Sequence, residues 1–175
     1  MMKTIVTLVL LSAVGAAFCG SQSWYRYVNE GWGYSVSYPS YLVEIPFTGD
    51  PESPGVWKRK VFESKNKQVT LETGGDYVHP DSGETLDEWW RKETNRRSKG
   101  GDEIRYAVKK NNWYVISGVN DKGFEFYHKV FFFPTRWIEF DFVYPHTQHQ
   151  IYDPVAAKIA QSFNPDLPEN GHYER

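Results

Sequence analysis

The feature that most constrains the fold is a pair of long alternating segments in the C-terminal half of the sequence. Residues 124–133 and 136–144 both alternate with period two, and Pro134-Thr135 between them fits a hairpin turn. One face of each segment is mainly apolar: Phe124, Phe126, His128, Val130 and Phe132 in the first, and Ile138, Phe140, Phe142 and Tyr144 in the second. Their opposite faces are partly apolar too, which predicts central strands covered on both sides.

Two further strand-like segments precede this pair. Residues 103–110 and 113–119 are linked to each other by Asn111-Asn112 and to the pair by residues 120–123. Such short connections favour hairpins, so the four segments are predicted to form an antiparallel meander.

The N-terminal half contains more strand patterning. Residues 24–45 alternate, with a break at Pro39, and residues 58–63 and 69–73 form a predicted strand pair. Composition predicts a loop over residues 48–55 and another that begins at Gly74-Gly75.

Two helices are predicted from their start signals. Thr85 and Glu88 form a capping box, and the helix they start should run to about Ser98, before Gly100-Gly101. Asp153-Pro154 predicts a second helix, with Asp as N-cap and Pro at the first helical position. Strands, helix, meander and helix in this order predict an α+β fold with a central antiparallel β-sheet and helices packed on it.

Residues 1–19 have the order of a secretory signal peptide: Lys3, an apolar stretch, then small residues. We expect export to the periplasm or the cell exterior, one α+β domain over residues 20–165 and a flexible tail over residues 166–175. A lipid anchor at Cys19 is not expected, because Phe18 stands where lipid attachment needs a small residue.

Cys19 is the one cysteine of the sequence, so the exported domain would have no disulfide, thiolate nucleophile or cysteine-bound metal. The net charge of −2 gives no electrostatic reason to bind nucleic acid. No stable membrane span is expected, and the oligomeric state is not predicted.

Candidate catalytic groups lie in the meander. Glu139 and Asp141 share one face of a strand at a spacing that suits the carboxylate pair of an inverting glycosidase, and His128 lies on the preceding strand. Solvated carboxylates and a core histidine are the simpler interpretation, and no residue is assigned as catalytic. Ser117 lacks the Gly-x-Ser-x-Gly pattern of a hydrolase nucleophile.

We predict no metal and no cofactor. His146, His149 and Asp153 are spaced like partial metal ligands, but the established patterns need a third and a fourth ligand at known spacing.

Ligand-binding residues are instead predicted on the first helix. Trp89 and Trp90 point about 100° apart on a helix, so one ring can be partly exposed, and Arg97 belongs to a basic run on the same helix. We predict Trp89, Trp90 and Arg97 as binding residues. The simpler alternative places the tryptophans in the seam between helix and sheet and the charges on a solvated face.

Several stretches carry a family likeness. They are Gly33–Pro39, Trp113–Gly118, Gly123–Lys129, Phe142–Pro145, Tyr152–Val155 and the Ser162-Phe163 pair. In these the sequence resembles bacterial exported domains of unknown function that are related in pattern to PsbP, the extrinsic subunit of photosystem II. The resemblance implies an α/β/α sandwich around an antiparallel sheet, and proteins that act by docking on partners. It transfers no functional residue.

The expected function is therefore that of an exported binding or interaction domain that docks on a protein or a cell-envelope polymer. Two alternatives remain open: a cell-envelope hydrolase with carboxylate and histidine chemistry, and a tryptophan-based carbohydrate-binding module. A deep polar pocket in which His128, Glu139 and Asp141 converge would favour the enzyme, whereas exposed coplanar tryptophans would favour the carbohydrate module.

Overall fold

A computed structural model gives the fold for residues 22–46, 59–79 and 83–166. The predicted signal peptide and the loop over residues 48–55 lie outside these ranges, as does the predicted tail beyond Asp166.

The described residues form nine strands and two helices, in two sheets. In chain order the elements are β1 (Trp24–Asn29), β2 (Tyr34–Pro39), β3 (Leu42–Ile45), β4 (Arg59–Ser64), β5 (Thr70–Tyr77), α1 (Leu86–Lys99), β6 (Glu103–Lys109), β7 (Trp113–Val119), β8 (Phe124–Phe132), β9 (Arg136–Pro145) and α2 (His149–Ser162). β1 and β2 form a separate hairpin, and the other seven strands form an antiparallel sheet in the order β3-β4-β5-β9-β8-β7-β6. The predicted meander of β6 to β9 and the predicted pair of β4 and β5 are confirmed.

The prediction of a loop beginning at Gly74-Gly75 was wrong, because β5 continues to Tyr77. Gly74 and Gly75 pair with Glu139 and Ile138 of β9. A Cβ atom at Gly75 would lie 2.8 Å from the Trp137 carbonyl oxygen and 3.1 Å from the Trp32 ring. Gly75 therefore allows the Trp137 backbone and the Trp32 ring to pack closely against β5, and it does not end the strand.

The two faces of the seven-stranded sheet are covered by different elements. On one face, Phe126 and Val130 of β8 pack under Leu86 and Trp89 of α1. The other face packs against α2 and the β1–β2 hairpin, with a core that includes Tyr34, Leu71, Ile138, Phe140, Phe142, Ile159 and Phe163.

This arrangement confirms the α+β class: a mostly antiparallel sheet with two helices. The expected sandwich is confirmed in part. α1 packs mainly over β6 and β7, and α2 shares its face with the hairpin. Within the ranges described, neither helix has both the length and the apolar character that crossing a membrane requires.

α1 begins as its sequence predicted. The Thr85 hydroxyl accepts a hydrogen bond from the Glu88 N–H at 3.3 Å, and the Glu88 carboxylate accepts one from the Thr85 N–H at 3.2 Å. The helix ends at Lys99, and Gly101 takes a φ of +90°, which glycine adopts without steric cost.

The predicted start of α2 at Asp153-Pro154 was wrong, because the helix begins at His149 after a short 3₁₀ turn over residues 146–148. Pro154 lies inside the helix and has no N–H to donate to the carbonyl of Gln150. Asp153 does not cap the helix; its carboxylate accepts a hydrogen bond from the Tyr144 hydroxyl at 2.7 Å.

Gly118 of β7 offers a direct test of this packing. A Cβ atom there would lie 1.9 Å from the Glu103 carbonyl oxygen, beside the register shift between Ile104 and Tyr106 in β6. Because backbone must move to admit a methyl group, Gly118→Ala should lower the free energy of unfolding by about 1–3 kcal/mol. Urea denaturation measures this change.

The matched control is Ser117→Ala on the same strand, which should change the free energy of unfolding by no more than about 0.5 kcal/mol. Equal stability of Gly118→Ala and the wild type would contradict the close approach of β6 to β7.

Candidate functional site

A cleft of about 550 Å³ lies between α1 and the sheet face beneath it. Of the twelve described residues that line it, ten are acids, bases or histidine. They are the carboxylates Glu72, Glu84, Glu93, Glu139 and Asp141, the cations Arg59, Lys92, Arg96 and Arg97, and His128; Trp89 and Tyr114 complete the lining.

The pairing of β8 with β9 brings the three candidate catalytic residues together in this cleft. His128 pairs with Asp141, and the adjacent same-face position on β8, Val130, pairs with Glu139. The His128 ring therefore lies between the two carboxylates, with Nε2 3.7 Å from Glu139 Oε2 and Nδ1 3.8 Å from Asp141 Oδ2. The polar convergence considered from the sequence is present.

Arg97 ties α1 to this cluster. Its side chain is only 7% exposed, and its guanidinium donates to Glu93 at 2.7 Å and to Asp141 at 2.9 Å. It also lies 3.5 Å from Asp102 and 4.0 Å from the centre of the Phe126 ring. Arg97 thus holds carboxylates of the chain itself, and its predicted role as a ligand contact remains a prediction.

Glu139 differs from the other carboxylates of the cleft. Its side chain is 17% exposed, and its charged contacts are Arg59 at 3.5 Å and His128 at 3.7 Å, neither of which is a hydrogen bond to the carboxylate. Burial raises the pKa of Glu139, although the charges of His128 and Arg59 oppose that rise. Of the carboxylates in the cleft floor, Glu139 is thus the one whose negative charge is least neutralised by its neighbours.

Glu93 shows the opposite balance. Burial acts to raise the pKa of Glu93, but hydrogen bonding to Arg96 and the charges of His128 and Arg97 outweigh it and lower the pKa to about 2. Burial also raises the pKa of the Tyr114 hydroxyl, and the negative charges of Glu93 and Glu139 add to that rise.

Two buried polar atoms in the cluster have no hydrogen-bond partner: His128 Nδ1 and Asp141 Oδ1. The other ring nitrogen of His128 lies 3.5 Å from the Tyr114 hydroxyl. Buried polar atoms normally have partners, and leaving one without a partner costs about 1–3 kcal/mol. His128 and Asp141 therefore each keep a hydrogen-bonding atom that no other described group of the fold satisfies.

The tryptophans predicted to bind ligand lie in the seam between α1 and the sheet. Trp89 packs 5.0 Å from the Trp137 ring and 5.7 Å from the Phe132 ring, measured between ring centres. Trp90 packs against the same apolar cluster, and the indole nitrogens of both residues are buried. Of the two, Trp89 lines the cleft.

The histidine pair considered as partial metal ligands lies on the other face of the sheet. His146 Nδ1 is 2.6 Å from Glu125, and His149 Nδ1 is 3.4 Å from Asp153. Across residues 22–46, 59–79 and 83–166, no group of three histidine, cysteine or acidic side chains is arranged to hold a metal ion. Ser117 lines a groove beside this pair.

Sequence reasoning missed Arg59, Glu93 and Tyr114 as members of the site. The spacing of Glu93 and Arg97 by four positions on one helix face was a readable signal for that ion pair. Arg59 and Tyr114 gave no such signal, because only the strand order brings β4 and β7 to the cleft.

The imidazole of His128 separates the two candidate catalytic carboxylates. An inverting glycosidase needs room for a water and a sugar between its carboxylates, and the His128 ring fills the space between Glu139 and Asp141. None of the described residues that line the cleft is serine, threonine or cysteine.

Comparison with known proteins bears on the fold. No protein-family model and no curated protein matches the sequence. The solution structure of cyanobacterial PsbP (CyanoP) from Synechocystis sp. PCC 6803 matches with a TM-score of 0.60 and 18% identity, over 87% of this chain and 98% of that one. A crystal structure from Bacteroides thetaiotaomicron VPI-5482 matches with a TM-score of 0.48 and 13% identity, over 84% of this chain and 49% of that one.

The likeness to cyanobacterial PsbP covers nearly the whole of both chains, and it confirms the resemblance read from the sequence. At this identity it concerns the fold alone. The chain has a PsbP-like fold.

Proposed function

We propose that the protein is an exported binding domain that docks on a cell-envelope polymer through the cleft between α1 and the sheet. The observation that carries this proposal is the position of the His128 ring, which fills the space between Glu139 and Asp141 in a polar cleft of about 550 Å³, with buried polar atoms that the fold leaves without partners. Ligand sites are typically concave and of this size, with a few polar groups that fix orientation.

The lining favours a hydrophilic polymer over a protein partner. Protein interfaces are depleted of charged residues at their centres, whereas ten of the twelve residues that line this cleft are ionisable. A polysaccharide presents hydroxyl groups that both donate and accept, so it can bond to carboxylates and cations alike.

The lining does not supply the flat aromatic platform of a tryptophan-based carbohydrate module, since both predicted tryptophans pack in the seam. Polar contacts would therefore carry the binding of a sugar here. Such binding differs from that of carbohydrate modules in which the sugar stacks on aromatic rings.

A hydrolase is the second candidate, because the three residues expected of it do converge. Asp141, held by Arg97, would act as base, and Glu139, whose pKa burial raises, as acid. This mechanism requires His128 to leave the space between them. Release of soluble saccharides from purified peptidoglycan, abolished by Asp141→Asn, would favour the hydrolase over the binding domain.

Sedimentation with purified peptidoglycan sacculi tests the binding proposal. The wild-type domain should co-sediment, and His128→Phe should weaken binding by about tenfold or more, because the phenyl ring that replaces the imidazole carries no nitrogen to bond a ligand. The control is His146→Phe on the opposite face of the sheet, which should bind like the wild type.

Thermal unfolding of both variants accompanies the sedimentation, so that loss of fold is separated from loss of binding. A wild-type protein that stays in the supernatant, or a His128→Phe variant that binds as well as the wild type, would count against the cleft as the docking site.

Export is tested separately. If residues 1–19 are a signal peptide, the protein recovered from the periplasm or medium of expressing cells should begin near residue 20. Intact-mass measurement checks this start, and a recovered chain that retains Met1 would contradict cleaved export.

A further inference from the structure

The carboxylates that line the cleft outnumber its lysines and arginines by five to four among the residues described. Four of the five are each hydrogen-bonded to a cation: Glu72 to Arg59, Glu84 to Lys92, Glu93 to Arg96 and Arg97, and Asp141 to Arg97. Glu139 is the fifth, and no cation donates a hydrogen bond to it.

The cation beside Glu139 is Arg59, which is hydrogen-bonded to a different carboxylate. Arg59 donates to Glu72 at 2.6 Å and approaches Glu139 only to 3.5 Å, from a side chain that is 58% exposed. A solvent-exposed guanidinium at that distance compensates a buried carboxylate poorly. The Glu139 carboxylate in the floor of the cleft therefore has room for hydrogen bonds from one more cation.

A second observation points to a ligand at the same place. His128 is 6% exposed, and its Nδ1 atom has no hydrogen-bond partner. Burial and the charges of Glu93 and Glu139 raise the pKa of the Tyr114 hydroxyl, which lies 3.5 Å from the other ring nitrogen, Nε2. The site thus offers an acceptor for a cation and, beside it, an imidazole nitrogen whose hydrogen-bonding capacity no described residue uses.

From this arrangement we infer that the cleft takes an amino sugar: a saccharide whose free ammonium group pairs with Glu139 while its hydroxyls bond His128 and the charged pairs at the rim. This inference rests on the proposed function, the binding of an envelope polysaccharide, and it names the group that is recognised. An ammonium ion supplies the charge-assisted hydrogen bonds that Glu139 lacks, and such bonds are stronger than neutral ones.

A neutral sugar of the same shape lacks this interaction, and binding it would leave the Glu139 carboxyl without a partner. The site therefore discriminates by the cost of an unpaired buried group as much as by attraction.

The test uses two trisaccharides that differ at their amino groups, one of glucosamine and one of N-acetylglucosamine. Calorimetric titration of the exported domain at about pH 6, where sugar amines are charged, should show the glucosamine form binding about tenfold or more tightly. Glu139→Gln keeps the size of the side chain but removes its charge, and it should abolish the preference.

The matched control is Glu125→Gln. Glu125 is a comparably buried carboxylate, 12% exposed, that pairs with Arg105 and His146 on the other face of the sheet. This variant should keep the wild-type preference for glucosamine.

Equal binding of the two trisaccharides, a preference for the acetylated form, or a preference that survives Glu139→Gln would overturn the inference while leaving envelope binding intact. Failure of both trisaccharides to bind would also overturn it. Sedimentation with sacculi then judges the proposed function independently.

Discussion

The buried guanidinium of Arg97 is the interaction on which the cleft depends. A charge that is 7% exposed is tolerated only when carboxylates surround it, and three provide this compensation: Glu93 on α1, Asp102 after the helix, and Asp141 on β9. Arg97 thereby joins the C-terminal turn of α1 to the middle of the sheet. Because Arg97 needs these carboxylates, negative charges lie under α1. Apolar side chains in their place would have packed against the helix and left no cleft.

The two faces of β9 have different roles: one packs into the apolar core, and the other carries side chains that line the cleft. Phe140 and Phe142 point into the apolar core under α2 and the hairpin, and both are fully buried. Glu139 and Asp141, which alternate with them, face the cleft under α1. The polar face is tolerated because the opposite face supplies the burial that holds the strand in place.

Local patterns predicted the local parts of this structure. The meander followed from alternation and short connections, and the start of α1 from the Thr85 capping box. The pairing of β5 with β9 is not local, and no pattern predicted that Gly74 and Gly75 continue a strand. His128, Glu139 and Asp141 were considered from the sequence as catalytic candidates but were not assigned to a site. Arg97 was predicted as a ligand-binding residue, and only the fold shows that it reaches Asp141 across 44 positions of sequence. Only the fold shows that the imidazole separates the carboxylates.

The strand order has a further consequence for how the cleft behaves in time. β9 is the middle strand of seven, with three neighbours on either side, and it carries both carboxylates of the cleft floor. Central strands exchange their amide hydrogens only in the largest opening events, whereas edges fray readily. The floor of the cleft is therefore held as rigidly as any part of the domain, and a ligand that binds there loses little affinity to ordering the protein. To fit different ligands, the exposed side chains at the rim would move, while the charged side chains on the floor of the cleft keep their positions.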